Sequence, residues 1–95
     1  EAKLIGAELI GTNLRRAFLE RANLIGADFT GADLSGAFLD NASLMGSNLA
    51  EVNLEGAFLR WANLRRVKNL SVKQLSKATT LDGAELDEDL RRKGE

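Results

Sequence analysis

Glu8 and Asp28 stand twenty residues apart in the chain. Held about 5–5.5 Å apart, two carboxylates can serve as nucleophile and acid/base of a retaining glycosidase. Arginines gather at Arg15, Arg16 and Arg21, and again at Arg60, Arg65 and Arg66. Their planar, permanently charged forks suit phosphate and carboxylate recognition. Other reactive groups are scarce. The 95 residues include no histidine, cysteine or tyrosine, which removes the commonest general base, the commonest metal ligand and any thiolate. A metal held by carboxylates alone needs a cluster of them, and none is visible. Glu20, Asp40 and Glu55 dilute the arginine clusters, and 13 basic against 14 acidic residues leave a net charge of −1. Dedicated nucleic-acid binders carry a basic excess, so no nucleic acid is expected as a partner. The longest run without a charged side chain, 41–50, is too short to cross a bilayer, so no membrane segment is expected in this chain.

Whether any of these groups meet depends on the elements that carry them. Leucine recurs every five residues from Leu4 to Leu64, thirteen centres in all, with Phe29 the one exception. Two residues before each centre sits a small side chain, Ala at ten positions and Thr12, Ser47 and Val52 at the others. Five residues of α-helix turn about 500°, so the centres would share no face. A flat strand alternates faces with period two and fails as well. A coil that turns one corner per five residues satisfies the pattern, with centre and small residue pointing inward. A second period sets the number of sides. Phe18, Phe38 and Phe58 step by twenty, as do Ile5, Ile25 and Met45, and Gly6, Gly26 and Gly46. Twenty over five gives four sides. With no proline anywhere, nothing interrupts the coil.

The run A-(D/N)-L-x-x resembles the pentapeptide-repeat family. The resemblance implies an all-β solenoid, a right-handed four-sided parallel β-helix. It covers residues 1–66, which are read as the β-helix domain, and 67–95 as a separate closing segment and charged tail. After Leu64 the rule breaks, because Asn69 falls where a centre belongs. Ser71 and Gln74 then form a capping-box pair, with Leu70 and Leu75 placed as a hydrophobic staple. A short capping helix over about 72–78 is expected, with Val72, Leu75 and Ala78 against the last coil. Leu81, Gly83, Ala84 and Leu86 resemble one stray repeat. Gln74, Leu75, Ala78, Thr80, Leu81, Gly83 and Ala84 resemble the closing segments of other pentapeptide arrays. Residues 87–95 are expected to fray. The N-terminal end shows no cap.

The outward side chains carry the functional expectation. Phe18, Phe38 and Phe58 should stack about 5 Å apart on one face, with Trp61 at the next corner. Ile5, Ile25 and Met45 form a second apolar row on the following face, expected to widen the patch. Exposed apolar patches mark contact surfaces. These seven residues are the candidate interaction surface, for another protein or for a second copy in an isologous homodimer. Glu8 and Asp28 would stack too, but on a convex rod without a cleft, and active sites are concave. No enzyme, catalytic residue, metal or cofactor is expected. The reading is a non-enzymatic structural or protein–protein interaction module. The resemblance supplies an alternative, a duplex-DNA mimic that binds DNA gyrase like the quinolone-resistance pentapeptide proteins. It also implies a bacterial, cyanobacteria-like source. Cytoplasm is the default location, with periplasm and thylakoid lumen left open. A chain that begins at Glu1 rather than Met is expected to be trimmed or part of a longer protein.

Overall fold

A computed structural model describes residues 3–93, and these wind into a four-sided solenoid measuring 31 × 22 × 21 Å. Each five-residue side makes the same set of bonds. The N–H of a centre donates to the next coil, as Leu24 does to the Ser43 carbonyl at 2.8 Å. The outward residue before it donates back, as Ser43 does to the Ala22 carbonyl at 3.0 Å. The corner closes when the next small residue donates to the previous centre, as Ala27 does to Leu24 at 3.1 Å. Parallel bridges step by twenty on all four faces, from Lys3↔Asn23 and Glu8↔Asp28 to Asn13↔Asp33 and Phe18↔Phe38. The period of twenty read from the sequence is therefore the coil.

Every corner needs one residue with a left-handed backbone. Glycine serves at Gly26, Gly31 and Gly46, but Arg16, Arg21, Glu51, Trp61 and Arg66 hold φ of 57–63° at the same position. Side chains resist that conformation, so these corners persist because inter-coil bonds on both sides fix them. The inward pairs form one core. From Leu19 to Leu64 every Leu or Phe centre is buried, and Phe29, Ala27 and Leu34 are fully so. Ser47 occupies an Ala position, and its hydroxyl is buried without a hydrogen-bond partner among the described residues. An unsatisfied buried hydroxyl costs about 1–3 kcal/mol. Ser47→Ala is therefore expected to stabilise the protein by about that amount, read as a higher urea midpoint at unchanged m.

The closing segment departs from the expectation in an informative way. The capping box forms: Ser71 Oγ accepts from the Gln74 N–H at 3.1 Å, and Gln74 Oε1 accepts from the Ser71 N–H at 2.8 Å. The helix is only one turn, α1 (Val72–Leu75), not 72–78. From Lys77 onward the coil above captures the chain: Gly56 donates to the Lys77 carbonyl, and Thr79 donates to Ala57. Those bonds outcompete a second helical turn. Gln74 also donates through Nε2 to the Leu49 and Val52 carbonyls at 2.9 and 3.2 Å, and Leu75 is buried. The chain then completes a further coil. Thr80 pairs with Phe58, and β2 (Glu85–Leu86) runs parallel to β1 (Asn63–Leu64). Asn48 pairs with Lys68, twenty residues on, whereas Phe58↔Thr80 and Asn63↔Glu85 span twenty-two. The helical turn thus inserts two residues and the coil resumes, so the stray repeat is a working part of the rod.

Residues 88–93, expected to fray, instead form α2 (Glu88–Lys93). Glu88 and Asp89 lie in its first turn, where carboxylates favour the helix dipole, and Leu90 packs against the core. The other end is open. Leu4, Leu9 and Leu14 are half-buried, and the N–H groups of Glu8, Asn13 and Phe18 have no acceptor among the described residues.

Candidate interaction surface

The three phenylalanines form a continuous column. Phe18 and Phe38 stack with centroids 5.2 Å apart and planes at 10°, and Phe38 and Phe58 at 4.9 Å and 1°. Thr80 continues the column in the last coil. Phe18, at the open end, is 79% exposed, while Phe38 and Phe58 are half-covered by the stack. Trp61 follows at the corner, 59% exposed, but its indole lies over Gly83, where a Cβ would come within 2.1 Å of the ring. Part of that side chain therefore holds the last coil.

Ile5, Ile25 and Met45 also form a column, with Ile5 64% exposed and the other two half-buried. It does not widen the Phe patch. Between the two columns run three outward ones: Glu20, Asp40 and Arg60; Arg21, Asn41 and Trp61; and Asn23, Ser43 and Asn63. A third apolar position, Ile10, is 59% exposed beside the open end. Glu8 and Asp28 are bridge partners, as the spacing required, yet both lie on an outer face. The Asp28 carboxylate is occupied within its own turn, accepting from the Thr30 hydroxyl at 2.6 Å and the Thr30 N–H at 3.0 Å. No group of three or more potential metal ligands occurs among the described residues, and no described helix is long and apolar enough to cross a membrane.

The Pentapeptide repeats family matches residues 2–41 and 27–66, in eight copies. The chain belongs to the pentapeptide-repeat family. Full-length QnrB1, a plasmid-mediated fluoroquinolone resistance protein, has a similar structure, with a TM-score of 0.75 and 20% identity over 93% of this chain and 40% of QnrB1. The pentapeptide repeat protein Rfr23 from the cyanobacterium Cyanothece 51142 is 34% identical, with a TM-score of 0.53 over 87% of this chain and 55% of Rfr23. The chain therefore spans between two-fifths and just over half the length of these two proteins. No curated protein sequence matches it.

The pentapeptide-repeat geometry explains a preference that periodicity alone left as "polar". The residue before the centre accepts a hydrogen bond from the N–H two residues on. Asn13, Asn23, Asp28, Asp33, Asn48, Asn53 and Asn63 all do so, at 3.0–3.3 Å. Each is an Asx turn that fixes the corner. Phenylalanine cannot make that bond, so the Phe column gives up the corner's cap in three successive coils. Asp40 compensates once, accepting from the Arg60 N–H at 3.1 Å.

The Asx carboxylates make stability depend on acid. Hydrogen bonds from the Thr30 hydroxyl and N–H hold Asp28 below the ordinary carboxylate range, and those from Ser35 do the same for Asp33. A depressed folded-state pKa adds stability above the unfolded value, about 3.9, and that stability is lost as pH falls through the folded value. The urea midpoint is therefore expected to be flat from pH 7 to 5 and to fall below pH about 4. Asp28→Asn with Asp33→Asn should flatten the acid limb.

Proposed function

We propose that this chain is a non-enzymatic structural or interaction module, a rigid rod that presents the Phe18, Phe38 and Phe58 column to another protein surface. The observation that carries the reading is the column itself. Three aromatic rings stand outward at a position where the other repeats use Asn, Asp, Glu, Ser or Lys. They cost corner caps and expose apolar area, which is unfavourable in an isolated rod. Rigid aromatic side chains lose little entropy on contact and anchor interfaces well. The rod is convex, and the Asp28 carboxylate stacked on Glu8 is held within its own turn, which supports a reading without chemistry.

Capture from the native host is the test. Phe38→Glu, folded by circular dichroism, should lose a protein that the parent retains. Equal recovery by both removes the column as a recognition face.

One measurement speaks for the gyrase-binding alternative. The described residues span 31 × 22 × 21 Å, on the scale of a B-form duplex's width. A DNA mimic also needs a sustained acidic face, whereas this surface mixes signs at successive coils. Inhibition or protection in a gyrase supercoiling assay at micromolar protein would establish that reading, and its absence would remove it.

A further inference from the structure

One of the four faces loses its strand in the last coil. Parallel bridges join Asn13 to Asp33 and Asp33 to Asn53, and stop there among the described residues. The neighbouring faces run on, from Asn48 to Lys68 and from Phe58 to Thr80. α1 stands where the missing strand would lie. One coil away the same edge is fully paired. Gly31 donates to the Ala50 carbonyl, Leu34 donates to the Asn53 carbonyl, and the Ala32 carbonyl accepts from Asn53. At the gap the equivalent donors, the N–H groups of Glu51 and Leu54, have no acceptor among the described residues. The equivalent acceptor, the Val52 carbonyl, is already held by Gln74 Nε2 at 3.2 Å. The edge therefore lacks acceptors and needs no further donor. A groove of about 490 Å³ opens beside it, between residues 51–55 and Ser71, Lys73, Gln74 and Lys77. Lys73 and Lys77 are exposed, and neither they nor Glu51 and Glu55 form an ion pair among the described residues.

We propose that this gap binds the carboxyl end of an extended peptide from another protein, running parallel to the edge at Asn53. The intact coil sets the register. Its two acceptor carbonyls, Ala50 and Asn53, are three residues apart. A peptide in that register offers its terminal carboxylate to the Leu54 N–H. The carbonyl three residues earlier then meets the Glu51 N–H. The peptide must end there, because the next donor along, the Gly56 N–H, already holds the Lys77 carbonyl at 2.8 Å. At the Glu51 end the coil turns a corner, so a straight peptide runs on past it into solvent. A carboxylate supplies acceptors alone, which is what the edge lacks, and Lys73 and Lys77 bring opposite charge to the same groove. Glu51 and Glu55 oppose it, so the dissociation constant is expected on the order of 1 mM. The Phe column takes no part, and this site stands or falls independently of it.

Amide NMR of the labelled protein tests this, with acetyl-Ala-Ala-Gly-Ala bearing a free carboxylate as the probe, up to about 10 mM. Without peptide, the Glu51 and Leu54 amides should exchange with deuterium at least about tenfold faster than those of Gly31 and Leu34. With peptide, both resonances should shift and saturate, with a dissociation constant of about 1 mM. The same peptide ending in a carboxamide should bind about tenfold more weakly. So should the free-acid peptide with Lys73→Gln and Lys77→Gln combined, a variant whose circular dichroism should match the parent because both side chains are exposed. Glu51 and Leu54 amides that already resist exchange overturn the proposal, as do resonances that the peptide leaves in place. Equal binding by the carboxamide, or by the double lysine variant, overturns it as well. Sodium acetate that shifts Leu54 as strongly as the peptide does would reveal an anion site without a peptide register, and that too overturns it.

Discussion

Replacing Phe29 with alanine is expected to lower stability by about 3–5 kcal/mol, the upper range for a buried aromatic. Phe29 is fully buried and is the largest such side chain in the rod. A globular core can partly collapse around a deletion. Here Phe29 N–H donates to Asn48 and Asp28 N–H donates to Ala7, both at 2.9 Å, so the coils above and below are fixed at their spacing. The void stays open and the lining atoms lose their contacts. For a domain of this size the melting temperature should drop by about 15–30 °C. Phe29→Leu, which restores the centre used everywhere else, should cost less than about 1.5 kcal/mol. Thermal denaturation followed by circular dichroism separates the two. A Phe29→Ala protein that melts with the parent would mean that this position does not point inward.

Leu75→Ala is expected to cost about 2–3 kcal/mol, toward the low end for a buried leucine because the rod's end can settle. Its effect should also be local. Leu75 is 4% exposed and belongs to the cluster formed by the inward leucines. Its helical turn is what lets the chain spend two extra residues and still return to the coil at Thr80 and Glu85. Loosening that turn should loosen the last coil, where Trp61 lies over Gly83. Trp61 is the single tryptophan, so its emission should shift red at denaturant concentrations that leave the far-UV signal intact. Emission and circular dichroism that change together, at the parent's midpoint, would show that the turn does not brace that coil.

The rod body was legible because one inward pair per five residues is a constraint that every coil repeats. The closing segment was legible in chemistry but not in extent. Ser71 and Gln74 signalled a helix start, yet its stop is set by Gly56 and Ala57, far away in sequence. α2 was hidden by its charge: a run of Glu, Asp, Arg and Lys reads as solvated tail unless Leu90 is seen to find the core. The Asx turns could have been found, since Asn or Asp two residues before a corner is their ordinary signature. At the candidate surface, the Phe column followed from spacing alone. The separation of the Phe and Ile columns was legible as well, since positions 20, 21 and 23 put three outward columns between them.

The two ends of the rod also differ in how they hold their hydrogen atoms. At the N-terminal end the amides of Glu8, Asn13 and Phe18 have no acceptor among the described residues, whereas at the other end a helical turn and a completed coil close the stack. In a solenoid each coil is stabilised only by its neighbours. Opening therefore starts at one terminus and moves coil by coil, so deuterium should enter the backbone as a gradient that is steepest near Leu4 and shallowest around Leu44. Among the described residues, exchange is therefore expected to advance from the N-terminal coil toward the braced end.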